Sequence, residues 1–349
     1  MSAPALTLAQ KLRYGAEAAI FLAFMGFFRV LGLDAASAVG GFIGRNIFSR
    51  TGASGRARRN LAMAFPEKSE AERDAILRVM WDNLGRTVAE YAHLDKLGVH
   101  GAAPRIKVNG GEILTGLRGQ GVLILSGHFA NWEAMPITGA EFGLQGAIVY
   151  RPPNNPYVDR YIARARTIKG YAEQISKHKG VKRIFTLLRS GKAILLLADQ
   201  KTNEGIAVPF FGRDAMTTPA PAALALKLKV PVVLAANKRL GGAHFGVTIY
   251  PPLDFTSTGD DEADTHALTL AINRKLEEIV RADPGQWLWI HRRWPTPRDV
   301  TTSKRVSQTQ VRLPCARGAR WRGRCPQQRL LRDGVSRRAK VSCEGRRGN

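Results

Sequence analysis

Cysteine is nearly missing from this chain. Of 349 residues only Cys315, Cys325 and Cys343 are cysteines, all close to the C-terminus. The body before them therefore has no thiol nucleophile, no disulfide framework and no cysteine-ligated metal site. Acidic side chains are also scarce, 28 against 53 Lys and Arg, for a net charge of +25. There is no internal repeat, which removes solenoid and propeller architectures. No RNP, helix-turn-helix or zinc-finger pattern appears either, which removes those nucleic-acid modules. What remains is a chain 44% hydrophobic, long enough for one large domain or two small ones with a substantial core.

The positive charge is unevenly spread. Residues 301–349 carry 14 Lys/Arg against two acids, Asp333 and Glu344, leaving 39 against 26 in the first 300. The last segment has few large apolar residues and no sustained periodicity, so burial cannot offset the cost of ordering it; the composition predicts a disordered tail. The change after Pro297 is abrupt enough to fit a shifted reading frame near the end of a coding sequence as well. The basic body suits an acidic partner: anionic lipid, a phosphorylated substrate or an acidic carrier protein. Charge alone leaves nucleic acid open.

Ala18–Phe28 (AAIFLAFMGFF) is an uninterrupted apolar run, followed by Arg29 and then Val30–Leu33 and Ala35–Ile43. Eleven helical residues rise only about 16 Å, against roughly 30 Å of hydrocarbon. Spanning would require Arg29 to snorkel to the interface. Three readings follow: a membrane-anchoring helix, a buried core or interfacial helix, and a signal peptide with a small-residue site near Ala36-Ser37-Ala38. Arg45, Arg50, Arg56, Arg58 and Arg59 follow the run. For an anchor, that excess leaves the next domain in the cytoplasm.

The middle of the chain reads as α/β. Ser69–Glu72 forms a capping box, after which Ile76, Leu77, Met80, Leu84, Val88 and Tyr91 recur at helical spacing. Short apolar runs at 122–125, 147–150, 193–198, 230–235 and 245–249 predict buried strands. Helical patterns at 156–168, 181–188 and 219–228 lie between them, and another at 262–281 follows. Strands alternating with helices predict a central, mostly parallel sheet flanked by helices. Sites in such sheets form at the carboxyl ends of strands.

One place satisfies that rule with chemistry attached. Val122–Leu125 runs into Ser126-Gly-His-Phe-Ala-Asn-Trp-Glu133. His128 would sit just past a strand end, with Glu133 about one turn into a following helix and able to reach back to the imidazole. A carboxylate on one ring nitrogen fixes the tautomer and leaves the other nitrogen to take a proton from a hydroxyl. The two-His spacing of a helical zinc site is missing.

The stretch Gly127–Glu133 resembles the H-x4-D/E box of glycerolipid-type acyltransferases. The wider pattern is similar to the lipid A biosynthesis lauroyl/myristoyl acyltransferases over about residues 8–297. Supporting pieces, in order, are Asn60–Pro66, Tyr150–Pro156, Arg164-Ala-Arg166, Leu197-Ala-Asp-Gln200, Pro209–Gly212, Thr217-Thr218 and Trp287–Trp294. One departure is Ala130, where relatives often carry Gly; another small residue is expected to change little.

That resemblance implies an inner-membrane enzyme with its active domain on the cytoplasmic face. It divides the chain into an apolar anchor or interfacial segment (1–45), an acyltransferase domain (46–297) and the basic tail (298–349). The implied reaction is acyl transfer from a thioester on acyl carrier protein to a hydroxyl of an anionic lipid, a lipid A precursor. His128 is the implied base and Glu133 its orienter. Arg151 and Arg166 are implied to hold phosphate groups, with Arg151 or nearby backbone N–H groups facing the oxyanion. Asp199 and Asn131 complete the implied substrate-binding set. Asp199 ends a predicted strand, and its alternative is a cap. No metal, cofactor or nucleic acid is implied. A sister activity on a lysophospholipid, ornithine lipid or phosphoinositide mannoside fits the same box. A non-enzymatic basic membrane-surface or nucleic-acid-binding protein is the remaining alternative.

Overall fold

The computed structural model describes residues 6–167, 173–176 and 180–294. The expectations for the 298–349 tail lie outside these residues.

The N-terminal third is helical. Helix α1 (Leu8–Leu31) opens with a second capping box, in which the Thr7 hydroxyl accepts from Gln10 N and the Gln10 side chain accepts from Thr7 N. At 24 residues it is about 36 Å long, enough to cross a bilayer core. The helix outruns the apolar stretch because Arg13 and Glu17 pair one turn apart within it. Only Ala18, Met25 and Phe28 on it are buried. Leu8, Leu12, Ile20, Phe27 and Val30 are exposed, which rules out a buried core helix. Gly32, at φ 76°, turns the chain into α2 (Leu33–Asn46). Helix α3 (Gly52–Ala64) leads to α4 (Glu70–Glu90), which starts at the expected Ser69/Glu72 box. A 3-10 turn, Tyr91–Lys96, follows it.

The sheet strands are β1 (Ile106–Asn109), β2 (Val122–Ser126), β3 (Gly146–Tyr150), β4 (Glu173–Ser176), β5 (Ala193–Leu197), β8 (Val232–Gly241) and β9 (His244–Ile249). A separate hairpin is made by β6 (Ile206–Phe210) and β7 (Arg213–Thr217). The helices between strands are α5 (Gly111–Gly116), α6 (Ala134–Glu141), α7 (Pro156–Thr167), α8 (Val181–Arg189) and α9 (Ala220–Leu228), and α10 (Asp261–Ala282) follows β9. The seven-stranded order is β1-β9-β8-β2-β5-β3-β4. Pairing is parallel from β8 through β4. The expected parallel neighbour of β8 is instead an antiparallel one, β9, and β1 pairs parallel to β9. The reason is the two-residue Gly242-Ala243 connection, entered through Gly241 at φ 144° and with Gly242 at φ 50°; a parallel crossover needs a dozen or more residues.

β2 is buried along its whole length. Leu123 and Leu125 join one apolar cluster and Val122 and Ile124 the other. That alternation is what a strand covered on both faces requires. Because Ser126 pairs with Leu197, β2 and β5 end side by side. The segments 127–133 and 198–200 therefore leave the sheet together at its carboxyl edge.

Candidate active site

That shared edge sets the chemistry. His128 Nδ1 lies 2.8 Å from Asp199 Oδ1, and the His128 backbone N–H donates to Asp199 Oδ2 at 2.8 Å. The Trp287 indole N–H also donates to Asp199 Oδ2, at 2.8 Å. Burial opposes ionisation of Asp199, but the adjacent His128 with its ring and backbone hydrogen bonds, and His291, outweigh it and hold its pKa well below the usual carboxylate range. An ionised carboxylate on Nδ1 places the single proton of a neutral imidazole there and leaves Nε2 with its lone pair. The His128 side chain is 14% exposed, so the ring is covered but not sealed.

Glu133, expected to pair with His128, is bonded elsewhere. Its carboxylate accepts from Arg166 Nε at 2.9 Å and Nη2 at 2.6 Å, and from the Tyr91 hydroxyl. Burial pushes the Glu133 pKa up, but the Arg166 charge and these bonds bring it below its ordinary value. The physical reason for the correction lies in the local backbone. Glu133 precedes α6 rather than sitting one turn inside it, and Asp199 already occupies Nδ1.

Arg166 is likewise not an open phosphate grip. Its fork is taken by Glu133, and it lies over the Tyr150 ring at 5.4 Å. Burial lowers its pKa and the Glu133 charge raises it, with a net rise. Asn131, expected among the substrate contacts, is fully buried. Its amide donates to Glu90 at 2.9 Å and its oxygen accepts from Glu133 N at 3.1 Å, so it braces the loop. Glu90 in turn holds Arg239 and Ser37. Arg151 is exposed, directly after β3.

Ala130 has φ 44°, in the left-handed region. The substitution expected to be neutral thus carries backbone strain that glycine would not.

By sequence the Trp287–Trp294 stretch, apolar and basic together, fits either core or an interfacial edge near lipid. It is core: Trp287, Trp289, Arg293 and Trp294 are all buried. It runs antiparallel to the histidine loop, with Ala130 N donating to Gln286 O and Leu288 N to His128 O. This pairing brings His291 to a ring-centroid distance of 4.7 Å from His128. Burial and the neighbouring His128 lower the His291 pKa to about 4.

A cleft of about 570 Å³ opens between α1, the Tyr91–Lys96 turn and α7, lined by Leu22, Met25, Tyr91, Leu94, Tyr161 and Arg164 among others. Tyr91 connects it to Glu133. Among the described residues, no three His, Cys, Asp or Glu side chains come together as a metal would need.

Comparison with known proteins finds relatives over most of the chain. Residues 5–296 match the family described as bacterial lipid A biosynthesis acyltransferase. The chain is 27% identical over 256 residues, 70% of its length and 78% of the relative's, to a lipid A biosynthesis acyltransferase of Haemophilus influenzae. It is 28% identical over 248 residues (69% and 75%) to the lipid A biosynthesis myristoyltransferase of Escherichia coli. It is 26% identical over 258 residues (70% and 80%) to the lauroyltransferase of the same organism.

Proposed function

The chain belongs to the bacterial lipid A biosynthesis acyltransferase family and is an O-acyltransferase; from that premise we propose that it moves a fatty acyl chain from acyl carrier protein to a lipid A precursor hydroxyl, using His128 and Asp199. The observation that carries this reading is the 2.8 Å contact between His128 Nδ1 and Asp199 at the carboxyl ends of two neighbouring parallel strands.

The acceptor O–H gives its proton to His128 Nε2 while its oxygen bonds to the thioester carbonyl carbon. The tetrahedral intermediate then expels the thiolate, which takes the proton back from the imidazolium. Asp199 keeps Nδ1 protonated throughout and stabilises the imidazolium. Glu133, clamped by Arg166 and Tyr91, fixes the loop that carries His128. Arg151 and loop N–H groups are the candidates for the oxyanion. The exposed apolar face of α1 and the cleft beside Arg164 support a lipid acceptor reached from the membrane surface. The arginines after α1 support the cytoplasmic face of the inner membrane.

The test uses full-length protein in detergent, acyl carrier protein thioester and lipid A precursor, with the product read by mass spectrometry. His128→Ala and Asp199→Asn should each lower the rate on the order of 10² or more while thermal unfolding stays cooperative. Rates within twofold of wild type would overturn the assignment.

A further inference from the structure

Gln200 belongs to the Leu197–Gln200 stretch, but the acyl-transfer steps above leave it without a part. Its Nε2 lies 3.2 Å from His128 Nε2 and 3.2 Å from His291 Nε2. A carboxamide nitrogen carries two hydrogens and no lone pair to share. It can therefore bond both rings only if both Nε2 atoms are unprotonated. For His128 this follows from the proton that Asp199 holds on Nδ1. Burial beside a second imidazole keeps His291 neutral, and the 3.2 Å approach of the amide nitrogen assigns its one proton to Nδ1. Turning the amide over would aim its oxygen at both Nε2 atoms and demand a proton on each. A neutral His128 would then face Asp199 with a bare Nδ1, lone pair against carboxylate at 2.8 Å. For the neutral imidazole that a base requires, the orientation is thus set by the dyad itself.

We propose that Gln200 and His291 are positioning residues for the base, with the Gln200 amide holding His128 Nε2 as a bare acceptor and His291 anchoring that amide through its second hydrogen. The inference rests on His128 being the base. An entering hydroxyl displaces one Gln200 N–H from Nε2, and the freed N–H is left beside the entering oxygen, where it can donate to it. The site then stays polar and its donors remain matched before and after the acceptor arrives, so the acceptor displaces an aligned bond and does not meet an empty dry pocket. Asp199 is the carboxylate facing His128. Arg56 and Arg293 are the neighbouring cations, acting on His291 and facing Asp199 respectively. The Trp132 edge and the Trp287 N–H complete the surround.

The test is the pH dependence of acyl transfer from pH 5 to 9, with kcat and KM separated, on full-length Gln200→Leu, Gln200→Glu, His291→Phe and His291→Gln. An N–H on the lone pair opposes its protonation, so Gln200→Leu should move the rising limb to higher pH and lower kcat about tenfold. Gln200→Glu, nearly isosteric, replaces a donor by an anion; it should move the limb further up, with most of the loss at pH 6 recovered by pH 9. His291→Phe should resemble Gln200→Leu. His291→Gln, whose carbonyl can accept the same N–H, should recover part of that loss. A purely structural role would lower activity evenly across pH. If His128→Ala is inactive while both Gln200 variants keep the wild-type limb and kcat within twofold, this proposal falls and the base assignment stands. If His128→Ala is active, the base assignment itself falls.

Discussion

Two carboxylates compete for His128 in the sequence, and only one reaches it. Glu133 is five residues away and Asp199 is 71 away, yet the strand pairing gives the contact to Asp199. Glu133→Gln should therefore fail differently from Asp199→Asn. It leaves the buried Arg166 guanidinium with no carboxylate, and breaking a buried pair on one side costs about 3–5 kcal/mol. The expected result is a large fall in the unfolding midpoint, with lost activity tracking lost folded protein. Asp199→Asn should lower kcat with a much smaller midpoint change. The histidine itself was legible from its place after an apolar run. Its partner was not, because spacing along one segment carries no information about which strand lies alongside.

His291 makes a second prediction at the same scale. Its folded pKa of about 4 is below the ordinary 6.5. The unfolded chain therefore takes up its proton near pH 6.5, while the folded one refuses it until about pH 4. Stability is unaffected above about pH 7, falls as pH drops through that window, and levels off below it. The loss is roughly 3 kcal/mol at most, from about 1.4 kcal/mol per unit. Glu133 and Asp199, both held below their ordinary values, lose their contributions only at still lower pH, which separates the effects. Denaturant titrations at pH 7 and pH 5 on wild type and His291→Gln should show the variant losing less stability between the two.

At the scale of elements, the loop that carries His128 is held from behind by α4, and α4 is held by α2. These helices meet through glycine. A Cβ on Gly44 would overlap the Trp81 carbonyl oxygen, and one on Gly85 the Gly40 carbonyl oxygen. Across this close approach Ser37 reaches Glu90, which also binds Asn131 of the loop and Arg239 of β8. Gly44→Leu should push the helices apart, costing at least the 1–3 kcal/mol typical of overpacking. Activity should also fall, because Glu90 and Asn131 shift with α4. A lowered midpoint with a specific activity per folded molecule equal to wild type would contradict the coupling.

The sequence displayed α4, α7, α8, α9 and α10 through periodicity and caps, and β2, β3 and β5 as continuous apolar runs. It hid β1 and β4, four-residue strands at the two sheet edges with too few apolar positions to register. It hid β6, where Pro209 argues against a strand. It cut β8 short, because Asn237, Lys238 and Arg239 look like a strand end. Arg239 is in fact buried against Glu90, and a polar residue inside a core can be anticipated only when its partner is known.

The whole molecule is a strong cation, and its first 300 residues alone carry 39 basic against 26 acidic side chains. If the donor is an acidic carrier protein, that field should speed encounter by one to three orders of magnitude at low salt. The contribution should fade once the screening length drops from about 10 Å at 0.1 M to about 3 Å at 1 M. Surface charges act before docking, so the effect belongs to kcat/KM and leaves kcat nearly constant. The informative comparison is between acyl carrier protein and a short thioester of little net charge, each assayed from 50 to 500 mM NaCl with the same lipid acceptor. Lipid presentation and protein stability respond to salt equally in both arms and cancel in the ratio. The ratio of kcat/KM values, carrier over short thioester, should fall at least several-fold over this range. A ratio constant within experimental error would mean that the basic surface meets the membrane or the lipid headgroup, and that the carrier docks by contacts that salt does not screen.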